Sequence, residues 1–168
     1  MAFNFINQTF QSFAVYADVT ARDSRFFEAN EGMTSEVVTP LLAQSSQRIL
    51  SQIKNTDWWR EYQFSRDISL KNDLRLLPDV QPDDIKGKEQ EFKDLNIFLC
   101  MAEYLLPRVA DFGNETSAEV AKIKFYVDAY NNLFNLVIQS GDWYDFNSGG
   151  TISTDEKSPT FTNRVRTR

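Results

Sequence analysis

No histidine occurs anywhere in the chain. That removes the Ser-His-Asp arrangement, histidine-ligated zinc and imidazole acid-base catalysis together. Cysteine is nearly absent as well. The single Cys100 cannot form an internal disulfide, and it lies in the apolar run Ile97, Phe98, Leu99, Cys100, Met101. It reads as a small buried hydrophobe, in a setting that raises a thiol's pKa and hides it. Long apolar runs are missing too. Nothing approaches the roughly 20 residues of a membrane span, and the N-terminus lacks a basic segment followed by an apolar stretch, so a soluble protein outside conventional secretion is expected. Positive charge is also short. A formal net charge of −6 leaves no basic footprint for base-specific nucleic-acid recognition.

What is abundant is phenylalanine, 14 in 168 residues, within a 42% hydrophobic composition. A chain of this size supports one core, with aromatic side chains to spare for interfaces. Residues 1–32 carry Phe3, Phe5, Phe10, Phe13, Tyr16, Phe26 and Phe27 among polar residues, starting with an alternating pattern. That favours an aromatic-rich extended arm or short strand over a helix. After Gly32, Thr34 or Ser35 caps a helix to about Lys54, with Pro40 in its first turns. Asp57 opens a short helical turn with Trp58, Trp59, Tyr62 and Phe64, which read as core packing because Trp58 and Tyr62 are four residues apart. Residues 65–87 form a long polar excursion in which Leu74, Leu76 and Leu77 supply docking contacts.

Two longer helices follow. Phe92, Leu95, Phe98, Leu99, Ala102, Leu105 and Leu106 recur at spacings of three and four over about 84–106, until Pro107 ends or kinks the helix. Asp111, Phe112, Gly113 and Asn114 make a turn, and Thr116 with Glu119 forms a capping box for a helix reaching Ser140. Asn131, Asn132 and Asn135 on that helix read as a polar face. The expected fold is mainly α: a small helical bundle with an antiparallel helix hairpin, a long polar loop and extended N- and C-terminal arms. In segments, 1–32 is the arm, 33–140 the helical core with its excursion at 65–87, and 141–168 a loop and docking tail.

The stretch Asp145 to Glu156, D-F-N-S-G-G-T-I-S-T-D-E, fits a twelve-residue calcium loop of EF-hand type. Oxygen donors for the ion are Asp145 at position one, Asn147 at three, the Thr151 carbonyl at seven, Ser153 at nine and Glu156 at twelve. Gly150 stands at six, where the turn needs positive φ. Gly149 replaces the usual donor at five, and Lys157, Ser158 and Pro159 leave no exiting helix. With two charged ligands, calcium binding is expected to be weak, roughly 10⁻⁴ to 10⁻³ M. The bland alternative is an Asx- and Gly-rich turn that happens to fit. The tail beyond it is basic, and Lys157, Arg164, Val165, Arg166 and Arg168 suit strand addition or carboxylate pairing on a partner.

The helical pair at about 88–140, the Asp142-Trp143-Tyr144-Asp145 segment, the turn G-T-I-S-T-D-E and the ending R-V-R-T-R resemble the head-to-tail connector, or adaptor, proteins of tailed bacteriophages. The resemblance covers roughly the C-terminal half. It implies a homo-oligomeric ring, commonly of twelve copies, docked beneath the portal protein at the virion's neck and bound to tail or neck proteins. Such a protein is made in the host cytoplasm, and DNA passes through its ring without sequence-specific binding. It implies no membrane partner and no enzymatic activity, and it assigns portal or tail contacts to residues 157–168 and to the excursion. The alternative function is a calcium-responsive helical protein-binding module. A carboxylate-dependent hydrolase using Asp83 and Asp84, or Asp155 and Glu156, is a third class.

Overall fold

The computed structural model describes residues 3–6, 9–113, 117–154, 156 and 157. It is mainly helical with a small two-stranded sheet, consistent with a small helical bundle. Among the described residues no helix is long and apolar enough to cross a membrane. The chain falls into two compact units. One contains the stretch up to Ile49 and Lys88–Leu136; the other contains Leu50–Gly87 and the chain from Val137.

In the first unit, strands β1 (Asn4–Ile6) and β2 (Thr9–Ser12) pair antiparallel, with an irregularity between Asn4 and Phe5. The expectation of an extended segment holds only here. Residues after Ala14 form two short helices, α1 (Tyr16–Arg22) and α2 (Ser24–Ala29), because local carboxylates satisfy their opening amides. Asp18 Oδ2 accepts from the Val15 N–H at 2.9 Å, and Asp23 Oδ1 accepts from the Phe26 N–H at 3.3 Å. The aromatic residues of this segment pack on their own unit. Phe3, Phe10, Phe13 and Phe92 form a chain of ring contacts, Phe3 to Phe13 at 4.8 Å and Phe13 to Phe92 at 5.2 Å.

Helix α3 (Ser35–Lys54) includes Pro40 in its second turn. Helix α5 (Glu89–Cys100) starts later than the apolar period implied, because 82–88 is spent on a short 3₁₀ turn and an extended bridge. From Leu95 to Ala102 every residue is buried, so this stretch is enclosed on all sides, whereas in the first half of the helix only Phe92 is buried. The chain then widens into a π-helical turn over Met101–Leu105 and tightens into a 3₁₀ turn over Leu106–Arg108. Pro107 explains the change: it has no N–H to donate, and its ring would collide with the carbonyl four residues back in an α-helix.

Helix α6 (Ala118–Ser140) is capped by Ser117, whose hydroxyl accepts from the Val120 N–H at 3.2 Å. The expected cap residue Thr116, and Asn114 of the expected turn, lie outside the described residues. Phe98 of α5 meets Tyr126 of α6 with ring centroids 5.9 Å apart. Leu106 and Val109 line one cavity with Glu119 and Lys122 of α6 and with Arg25, Phe26, Ala29 and Asn30 at α2. Asn131, Asn132 and Asn135 are exposed.

A neutral polar hub sits inside this unit. Asn96 is fully buried: its Oδ1 accepts from the Ala14 N–H at 3.0 Å, while its Nδ2 donates to the Leu42 carbonyl at 3.0 Å and to Ser45 Oγ at 2.6 Å. Ser46 Oγ accepts from the Phe13 N–H at 3.1 Å. The backbone that follows β2 has no ladder partner, and these side chains supply its hydrogen bonds. Cys100 is buried, and desolvation pushes its thiol pKa up to about 12.

Candidate functional site

The candidate calcium loop lies in the second unit, beside helix α4 (Asp57–Arg66). Thr56 caps α4, accepting from the Trp59 N–H at 3.3 Å. The helix presents Trp58, Trp59 and Tyr62 to the segment 143–146. Tyr62 stacks on Phe146 with centroids 3.3 Å apart and planes at 12°, Trp58 lies 4.9 Å from Trp143, and Trp59 meets Tyr144 edge-on at 5.0 Å. Trp59 Nε1 donates to the Pro78 carbonyl at 3.2 Å. The aromatic group around Trp58 is thus core packing, as its spacing implied.

The loop's entry is fixed by the excursion. Ile85 and Tyr144 form an antiparallel bridge, with the Lys86 N–H donating to the Trp143 carbonyl at 2.9 Å and the Asp145 N–H to the Asp84 carbonyl at 2.8 Å. Gln81 N–H donates to the Tyr144 hydroxyl at 3.1 Å. Burial pushes the Tyr144 pKa up to about 12. The excursion docks through Leu70, Leu77, Val80 and Ile85, all buried, and not through Leu74 and Leu76, which are exposed. Asp84 is committed to this bridge through its carbonyl.

The loop itself is closed by carboxylates. Asp145 is fully buried, and its Oδ1 and Oδ2 accept from the N–H groups of Gly149 at 3.1 Å and Gly150 at 2.6 Å. Glu156, also buried, accepts from the Asn147 N–H at 2.8 Å on Oε1, and from the Ser153 N–H at 2.7 Å and hydroxyl at 2.8 Å on Oε2. Burial works to raise the Glu156 pKa. The Ser153 and Asn147 hydrogen bonds outweigh it and hold the group below its usual value, against a further upward push from Asp145. Gly150 has φ of +87°, the positive value its loop position was read to need, and Ser148 has φ of +52°.

The loop returns to its starting point. Gly141 has φ of +64°, and a Cβ there would overlap the Lys157 carbonyl, so the two ends of the loop touch. At the end of the loop the Glu156 N–H donates to the Ser153 carbonyl at 3.2 Å, and neither Glu156 nor Lys157 is helical.

The five sequence-derived ligand residues therefore separate in position. Asp145 and Glu156 are buried, while Asn147, Thr151 and Ser153 are exposed. Asn147 Oδ1 does not face a shared centre alone: it accepts from Arg66 Nη2 at 2.8 Å, and Arg66 Nη1 donates to the Phe146 carbonyl at 3.0 Å. Among the described residues no group of three His, Cys, Asp or Glu is placed to hold a metal ion. Asp155 lies outside them. Of the tail residues assigned to partner binding, Lys157 is exposed, and Arg164, Val165, Arg166 and Arg168 lie outside the described residues. Arg66 was missed by the sequence reading because no local pattern ties it to a residue 81 positions away. Set against protein-family models, curated proteins and solved structures, the chain shows no match in any of the three comparisons.

Proposed function

We propose that the chain is a structural, non-enzymatic virion protein, a connector whose ring joins the portal to the tail at the neck and lets the genome pass. The observation that carries this reading is apolar surface left in the open. Ile68, Leu74 and Leu76, within nine residues of one connection, are 67%, 50% and 64% exposed. Phe112, Phe125 and Leu136 of the other unit are similarly bare. Single exposed apolar residues are ordinary on a monomer, but a cluster of them marks surface that a partner covers. Large permanent interfaces are built from such side chains. The net charge of −6 suits a channel through which DNA slides, because phosphate neutralisation is what makes nucleic acid stick. In this reading the basic tail after Lys157 contacts the portal or the next tail component.

The test is solution mass and negative-stain imaging of the purified protein, alone and with portal rings of tailed phages. The expected result is a closed ring, commonly of twelve copies, or stoichiometric binding to the portal. A monomer at all concentrations that ignores every portal would refute the reading.

A further inference from the structure

The loop's oxygens are already engaged by hydrogen bonds at the positions where its sequence would place an ion. An ion in an EF-hand-type loop draws on oxygens at positions one, three and twelve. Here Asp145 already accepts from two backbone amides, and Glu156 from two amides and a hydroxyl. The position-three oxygen of Asn147 accepts from a guanidinium. To collect these oxygens, a divalent ion would have to break or share six hydrogen bonds and bring two positive charges next to Arg66. Buried carboxylates must be paired, and these are paired by the protein. Arg66 of α4 adds its guanidinium at the loop's edge, on the Asn147 side chain and the Phe146 carbonyl, while the carboxylates are satisfied by the loop's own amides and the Ser153 hydroxyl.

We infer that residues 141–157 form a cation-independent clasp, closed by amide-to-carboxylate hydrogen bonds and locked to helix α4 by Arg66, and that the clasp holds the Lys157 carbonyl against Gly141. Its work is to fix the position of Lys157, the residue that precedes the basic C-terminal stretch. The inference stands without the connector reading and is tested on the isolated protein. Arg66 is itself exposed, so its two bonds act as a lock on a loop that the buried carboxylates already shape.

The test is limited trypsin cleavage at Lys157, followed by mass spectrometry, in millimolar calcium and in chelator. The wild-type protein is expected to be cut at the same slow rate in both conditions. Arg66→Ala is expected to raise that rate about fivefold, the factor that goes with one net hydrogen bond when cleavage follows the open population, again regardless of calcium. A wild-type rate that calcium slows saturably, or an Arg66→Ala rate equal to wild type, would overturn the clasp. Calorimetric titration of calcium into the wild-type protein needs no variant: absence of a saturable heat is expected, and a saturable one overturns the inference.

Discussion

The two units each hold one buried polar hub, and the hubs are of opposite kinds. In the first, Asn96, Ser45 and Ser46 are neutral and serve both as donors and acceptors. In the second, Asp145 and Glu156 accept only, and every donor is an amide or hydroxyl of the loop itself. The neutral hub joins residues 33 to 82 positions apart; the charged one joins residues three to nine apart. A neutral hub ties distant chain together and is indifferent to acid. A charged hub shapes a local turn, and its strength depends on protonation.

Breaking the setting of each hub should separate them. The largest effect is expected from Trp59→Ala. Trp59 is buried under Tyr144 and Phe146, and its loss should cost about 3–5 kcal/mol in urea unfolding, with hydrogen exchange rising in 57–66 and 142–157. Asn96→Ala comes next. It strands the Ala14 N–H and empties a fully buried site, while the Ser45 hydroxyl still donates to the Leu42 carbonyl, for a loss of roughly 2–4 kcal/mol measured the same way, and faster exchange at Ala14. An Asn96→Ala protein as stable as wild type would remove the hub from the account.

Glu156→Gln is a milder change, about 1–3 kcal/mol, because the amide keeps one accepting oxygen and turns a donor toward Ser153 or Asn147. The same group sharpens the comparison through pH. Its folded pKa is depressed, so its stabilisation is complete above the unfolded value of about 4.3 and disappears as pH falls through the lower folded value. Acid should therefore release the Asn147 and Ser153 amides while the Ala14 amide, on the neutral hub, keeps its protection. Equal loss at all three would contradict the distinction. The smallest effect is chemical: Cys100, buried and with its pKa raised, should resist alkylation in the folded protein and react only after denaturation.

How far each hub could be read in the sequence follows from these differences. The helices were legible because Phe92, Leu95, Phe98 and Leu99 repeat with the helical period, and the breaks at Gly32, Pro107 and Gly141 bound them. Asn96 was hidden inside that same apolar run, since nothing local says that its partners are Ala14 and Ser45. The short helices α1 and α2 were obscured by alternating aromatics at the start of the chain, although Asp18 and Asp23 stood at their openings. The loop announced its carboxylates and its positive-φ Gly150. What it concealed was the other half of the chemistry, because backbone amides carry no sequence signal and Arg66 arrives from a different helix.

Closure of the loop by its own amides is tested most directly by amide hydrogen exchange at Asn147, Gly149, Gly150 and Ser153 in chelator. The hydrogen bonds predict slow exchange at all four, unchanged when calcium is added. Fast exchange in chelator that becomes slow only with calcium would contradict it.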